Sequence, residues 1–168
     1  NLGDAIFLML LDRLQNPASK RSSFLHQNEY LNLPQIELHH LYRALDKLAA
    51  ANLLVQQHIF HTGRDLFNRK LDVVFYDVTT LYVETFQSDE LRVQGFSKDN
   101  KSQQPQIVVG LLVTQSGFPL VCEVFPGNTF GGKTMLPVVE NFIKQNKGVK
   151  PIVVADAAML SEERLTEL

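Results

Sequence analysis

Apolar residues recur along the first fifty positions at the spacing of helices. Leu2 to Leu14 contains the run AIFLMLL, Ala5 to Leu11, bounded by Asp4, Asp12 and Arg13. Further on, Leu38, Leu41, Leu45 and Leu48 fall three or four residues apart, which predicts an amphipathic helix over Pro34 to Ala51. Pro34 suits the first turn, where a missing N–H leaves no bond unmade. The connection QNPASKRSSFLHQNEY is polar, carries Lys20 and Arg21, and reads as a loop or short element. From residue 52 to 70 the apolar pairs Leu53-Leu54, Ile59-Phe60 and Leu66-Phe67 alternate with polar residues and Gly63, a pattern that selects no element.

After Lys70 helical spacing gives way to short runs rich in Val, Ile, Phe and Tyr: Leu71 to Val83, Ile107 to Thr114 and Leu120 to Phe125. These predict strands. Gln115-Ser116-Gly117 between the last two predicts an antiparallel hairpin. A helix is expected over Thr134 to Lys147, with Leu136, Val139, Phe142 and Ile143 on one side, ahead of Gly148 and Pro151. Ile152 to Ala155 is a continuous apolar run suited to a central strand. Ser161 to Leu168 reads as the start of another helix, with Ser161 as its cap. This order is α/β: a helical segment at 1–70, then at 71–168 a ribonuclease H-like mixed sheet. That sheet would have an antiparallel three-strand meander plus a parallel strand reached by a right-handed crossover.

Composition narrows the classes. With 168 residues, 45% hydrophobic, the chain can build a real core. The single cysteine, Cys122, excludes an internal disulfide or a multi-cysteine zinc site and suits a reducing cytoplasmic setting. AIFLMLL is too short for a membrane span and has no basic segment before it. A net charge of -2 gives no overall pull toward nucleic acid. The charge is uneven, however: residues 71–168 hold twelve acidic against eight basic residues, and residues 1–70 hold all five histidines. Asn1 in the place of Met and the ending SEERLTEL read as positions inside a longer chain.

Two acidic positions stand out. Asp77 lies within VVFYDVTTLYV, and Asp156 ends the run IVVA at the carboxyl end of a strand, where α/β sheets tend to place ligands. Such apolar surroundings predict that both aspartates are buried, and a buried carboxylate needs a compensating partner. If the two strands are neighbours, the carboxylates converge, and paired hard oxygen donors suit Mg²⁺ or Mn²⁺. The residues alone leave a structural alternative open, in which Asp77 caps a bulge or pairs with an arginine and Asp156 begins a turn.

The longer segments FYDVTTLYVE (75–84), GFSKDNKSQQPQIVVGLLVTQSGFPLVCEVFPGNTFGGKTMLPVV (95–139) and VVADAAMLS (153–161) resemble the catalytic core of bacterial insertion-sequence transposases with a DDE triad. The resemblance spans about 71–168 and, loosely, the helices before it. It implies Asp77 and Asp156 as the first two triad acids and metal ligands. It also implies Mg²⁺ or Mn²⁺ as cofactor, the terminal inverted repeats of double-stranded DNA as substrate, and an oligomer assembled on that DNA. The family's glutamate lies farther along, and Glu162, Glu163 and Glu167 come too soon after Asp156 to replace it. Ala157 and Ala158 stand where relatives often carry a basic residue and glycine. With the third acid outside the chain, little activity is expected from it alone. The competing expectations are a non-catalytic remnant that binds DNA or protein, and a ribonuclease H-like nuclease.

Lys98, Lys101 and Lys133 lie in or beside the loops GFSKDNK and NTFGGKT, as candidate phosphate contacts or as plain solvated lysines. Thr79 shares a strand face with Asp77, as a support for the site or as an ordinary sheet hydroxyl. Gly127-Asn128-Thr129 with Gly131-Gly132-Lys133 lacks Walker spacing and reads as a strand-to-helix turn. His39-His40 has no partner at metal-ligand spacing, and Arg43 and Lys47, beside Asp46, read as a solvated helix face.

Overall fold

Four helices come first: α1 (Leu2–Gln15), α2 (Lys20–His26), α3 (Leu38–Ala50) and α4 (Asn52–Phe67). In the computed structural model, residues 2–67, 72–85, 87–95, 104–146 and 150–159 are described. The chain divides within α4 into two compact units, Asn1–His58 and Ile59–Leu168.

In the first unit Ala5, Leu8 and Met9 of α1 meet Leu41 and Ala44 of α3 around Ile36. One turn further along the buried stripe of α1 comes Asp12, also buried. Its carboxylate accepts the Ser23 hydroxyl at 2.6 Å and the Tyr30 hydroxyl at 3.4 Å, which replace the water it gives up. Burial, and then the charge of Asp12, push the Tyr30 hydroxyl pKa up. The start of α3 differs from the expected Pro34. The Gln27 side chain accepts the Ile36 N–H at 2.8 Å and donates to the Ile36 carbonyl at 3.1 Å. With Glu37 extended, the helix begins only at Leu38. The polar connection folds as α2 and a single 3-10 turn, Gln27–Glu29, and Ser19 caps α2 by accepting the Ser22 N–H at 3.2 Å.

The second unit is α/β. Strands β1 (Val73–Tyr82), β2 (Gln106–Thr114), β3 (Pro119–Pro126) and β4 (Ile152–Ala155) form a mixed sheet in the order β3-β2-β1-β4. The pairs β1/β2 and β2/β3 are antiparallel, and β1/β4 is parallel. Between β2 and β3 the chain turns at Gly117, whose φ of 81 is open to glycine at little cost. Helix α5 (Met135–Gln145) connects β3 to β4 and covers one sheet face. Its buried stripe is Met135, Val138, Val139 and Phe142. The expected Leu136 is half-buried and Ile143 is exposed. Two stripes at helical spacing share Val139 and Phe142, and the bond from the Tyr76 hydroxyl to Thr134, just ahead of α5, selects between them. Phe60 of α4 packs edge-on to Phe142, with ring centroids 5.5 Å apart. The helix expected over Ser161 to Leu168 lies outside the described residues. No described helix is long and apolar enough to cross a membrane.

Val74, Tyr76, Leu112 and Leu120 point into the core under α5, each apolar side chain contributing about 1.5–3 kcal/mol. Gly110 of β2 lies under the Tyr76 hydroxyl and beside the Phe125 ring, with no room for a methyl group. Gly110→Ala is therefore expected to lower stability by about 1–3 kcal/mol in denaturant unfolding, and a midpoint equal to the parent's would refute this packing.

The link from β1 to β2 is tied back onto the sheet. Val93 and Gln106 exchange backbone bonds of 3.2 and 3.0 Å, and the Gln106 side chain donates to the Gly127 carbonyl at 2.7 Å. Within it Asp89 accepts the Arg92 guanidinium and the Leu91 and Arg92 N–H groups, which hold its carboxyl at about 2, below the ordinary 3.8. Because the folded value is depressed, this turn's stabilisation is whole above about pH 4 and is lost as pH falls through about 2. A carboxyl NMR titration should place the Asp89 midpoint near 2 in the parent and higher in Arg92→Ala; equal midpoints would contradict the turn.

Candidate metal centre

Strand alternation sets the two faces. Along β1, Val74 and Tyr76 face the core while Phe75, Asp77 and Thr79 face away, and along β4 Ile152 and Val154 are exposed. The parallel register pairs Val73 with Ile152 and ends at Tyr76 with Ala155. Asp77 follows Tyr76 within β1 and Asp156 is the first residue after β4, so each comes one step beyond the last paired residues. Both are exposed, and alternation along β1 sets Asp77 on the face away from α5. One Asp77 carboxylate oxygen accepts its neighbour's N–H, from Val78, at 2.8 Å. Immediately after Asp156 the chain makes a 3-10 turn, Ala157–Met159, closed by the Met159 N–H to the Asp156 carbonyl at 2.8 Å.

The exposure corrects the sequence reading that these aspartates are buried. Large apolar side chains share their face in the open: Phe75 is 39% exposed, Ile152 66% and Val154 41%. An apolar run therefore did not mean burial on both faces here. Burial does not demand a counter-ion at Asp77, and the case for a metal rests on register.

Of the three candidate lysines, Lys98 and Lys101 lie outside the described residues. Lys133 is exposed, in a 3-10 turn, Gly131–Lys133, between β3 and α5. That turn lies against Val78, the residue after Asp77, and against the turn that follows Asp156. Lys133 is thus held at the carboxyl end of β4. Gly127-Asn128-Thr129 forms the bend leading into this turn, as its composition suggested. Thr79 is exposed on the Asp77 face. Elsewhere, His39 and His40 stack at 4.1 Å on α3, and burial and then the charge of His39 lower the His40 pKa. Arg43, Asp46 and Lys47 are exposed on the same helix, in the first unit.

Two residues that the sequence did not single out lie behind the pair. The buried Tyr76 hydroxyl donates to Thr134 Oγ1 at 2.8 Å, and the Thr134 hydroxyl donates to the Gly131 carbonyl at 2.6 Å. Burial raises the Tyr76 pKa; the bond to Thr134 opposes the rise, and Asp77 and Glu123 add to it. On the open face, burial followed by Glu123 raises the Cys122 thiol pKa.

Among the described residues no group of three or more His, Cys, Asp or Glu is placed to hold a metal ion. Asp77 in β1 and Asp156 just after β4 would offer two hard oxygen donors, a set compatible with Mg²⁺, an ion that keeps several waters and binds through one or two carboxylates. No family model matches the chain, and no curated protein or solved structure matches it.

The register is open to a direct check. In a Cys122→Ser background, Asp77→Cys with Asp156→Cys should form a disulfide on mild oxidation, since adjacent-strand Cα atoms fall within the range such a bond spans. Asp77→Cys with Ile152→Cys, four residues or about 13 Å out of register, should stay reduced. Cross-linking of both pairs, or of neither, would overturn the alignment.

Proposed function

We propose that this chain is part of a ribonuclease H-like DDE transposase core, a metal-dependent phosphoryl-transfer unit that acts at the terminal inverted repeats of double-stranded DNA. The observation that supports the reading is the parallel β1/β4 pairing, whose last pair, Tyr76 and Ala155, is followed on both sides by an exposed aspartate, Asp77 and Asp156. The transposase-like segments supply the substrate class; the geometry supplies only the donor pair.

In this reading Asp77 and Asp156 hold a divalent cation, Mg²⁺ or Mn²⁺. When bound, the ion supplies Lewis-acid stabilisation of phosphoryl oxygens and a more acidic water or DNA 3′-hydroxyl. The chain's own residues do the rest. β1 carries Asp77, β4 leads into Asp156, Thr79 offers a hydroxyl on the Asp77 face, and the exposed Lys133, in the turn packed near the residues after Asp156, is a candidate contact for a DNA phosphate. On the sequence reading alone, Lys98 and Lys101 are further candidate phosphate contacts. Copies of the chain would assemble on paired DNA ends.

A second reading takes its support from the open apolar face around Phe75, Ile152 and Val154. There the chain is a non-catalytic remnant that binds protein, and the aspartates are surface groups.

Mn²⁺ titration calorimetry separates the two. The parent should bind Mn²⁺, and Asp77→Asn and Asp156→Asn should each weaken it at least tenfold while unfolding at the parent's temperature. Failure of the parent to bind, or binding indifferent to both changes, would sink the metal-centre reading and leave the remnant.

A further inference from the structure

Parallel pairing between β1 and β4 ends at Tyr76 and Ala155, one residue short of both aspartates. Backbone pairing therefore does not by itself set how far apart Asp77 and Asp156 stand. β4 has only four residues, and Ile152 and Val154 face outward, so burial beneath it is slight. Some other contact has to hold its carboxyl end.

Such a contact runs behind the sheet. Tyr76 is next to Asp77 in β1 and points the other way, into the core, where only 2% of it is exposed. Its hydroxyl donates to Thr134 at 2.8 Å, and Thr134 donates to the Gly131 carbonyl at 2.6 Å. Thr134 is fully buried, and the missing side chain of Gly110 leaves the space that the Tyr76 hydroxyl occupies. The backbone bond from the Thr134 N–H to the Gly131 carbonyl, 3.1 Å, closes the same turn. That turn in turn lies against Val78 on one side and against Ala157–Met159, directly after Asp156, on the other. A continuous path of two hydrogen bonds and one close approach between turns thus joins the residue before Asp77 to the residues after Asp156.

We infer that Tyr76 and Thr134 are positioning residues that fix the separation of the Asp77 and Asp156 carboxylates from the opposite face of the sheet. The inference rests on the metal-binding reading above and adds to it the groups that set its affinity. Neither hydroxyl reaches the open face, so neither touches the ion; each acts through the backbone that carries an aspartate. Outer partners of this kind change metal affinity by about 10–100-fold when removed.

The test is Mn²⁺ calorimetry on the whole chain with Tyr76→Phe, Thr134→Val and Thr134→Ser, each with a thermal unfolding curve. Tyr76→Phe and Thr134→Val are expected to fold and to bind Mn²⁺ about 10–100-fold more weakly. Thr134→Ser keeps the hydroxyl and should bind like the parent, a rescue that loss of packing alone would not give. Should Tyr76→Phe fail to fold, Thr134→Val decides, because it keeps the side chain's shape. Parent-like affinity in Thr134→Val, an equal loss in Thr134→Ser, or unfolding of Thr134→Val would each overturn the inference, the last by making the bond a core bond only. If the parent itself binds no Mn²⁺, or binds it equally well without Asp77 and Asp156, the metal-centre reading falls and takes the inference with it. Binding that needs the aspartates but ignores Thr134 defeats the inference alone.

Discussion

Four residues of parallel pairing between β1 and β4 carry everything that makes this sheet more than a meander. Without them β1 to β3 would be an antiparallel unit with one acidic residue on its open side. With them Asp156 arrives beside Asp77. The pairing is short, and each backbone hydrogen bond contributes only about 0.5–1.5 kcal/mol net. Its persistence depends on α5, whose buried stripe of Met135, Val138, Val139 and Phe142 packs over β2 and β3, shares a core with Val74 and Tyr76 of β1, and leads the chain back to the β1 edge. The tertiary core thus supports the register, and the proposed site depends on that register.

The same core explains where the sheet is unforgiving. Tyr76 is the largest fully buried side chain, and its hydroxyl needs a partner and a space. Thr134 gives the partner and Gly110 the space. One aromatic residue therefore links three elements, β1, β2 and the entry to α5, and selects which of two overlapping stripes α5 turns inward.

Much of this was legible in the sequence because the strands are dense in β-branched and aromatic residues and are bounded by turn residues. The expected runs Leu71 to Val83, Ile107 to Thr114 and Leu120 to Phe125 match β1 to β3 within two residues at each end, and Ile152 to Ala155 matches β4. Burial was less legible. A run such as VVFYDVTTLYV looks the same whether a strand is covered on both faces or on one, so Asp77 read as enclosed although it is exposed. Helix α4 escaped because its apolar pairs and Gly63 fit no single period, and Phe60 is the residue that commits it to the core. Asp12 read as the polar edge of an apolar run. Its burial depends on hydroxyls 11 and 18 residues away, Ser23 and Tyr30, which local spacing does not reveal.

Exposure changes the energetics of the aspartate pair in a way that favours a reversible site. Two unit charges about 4 Å apart repel by about 1 kcal/mol in bulk water but by about 4 kcal/mol near a less polar protein surface, and salt screens the former. On an open face the pair stays near the first limit, so the sheet can hold two neighbouring carboxylates with no cation to neutralise them. Folding and metal binding are then separable, unlike sites whose ligands are brought together by the metal itself. On the proposed metal-binding reading, a cation would meet two carboxylates that the folded sheet had already brought to the ends of β1/β4 pairing. What it gains there is set by how firmly the ends of β1 and β4 are held, which returns the question of affinity to Tyr76, Thr134 and the turn at Gly131.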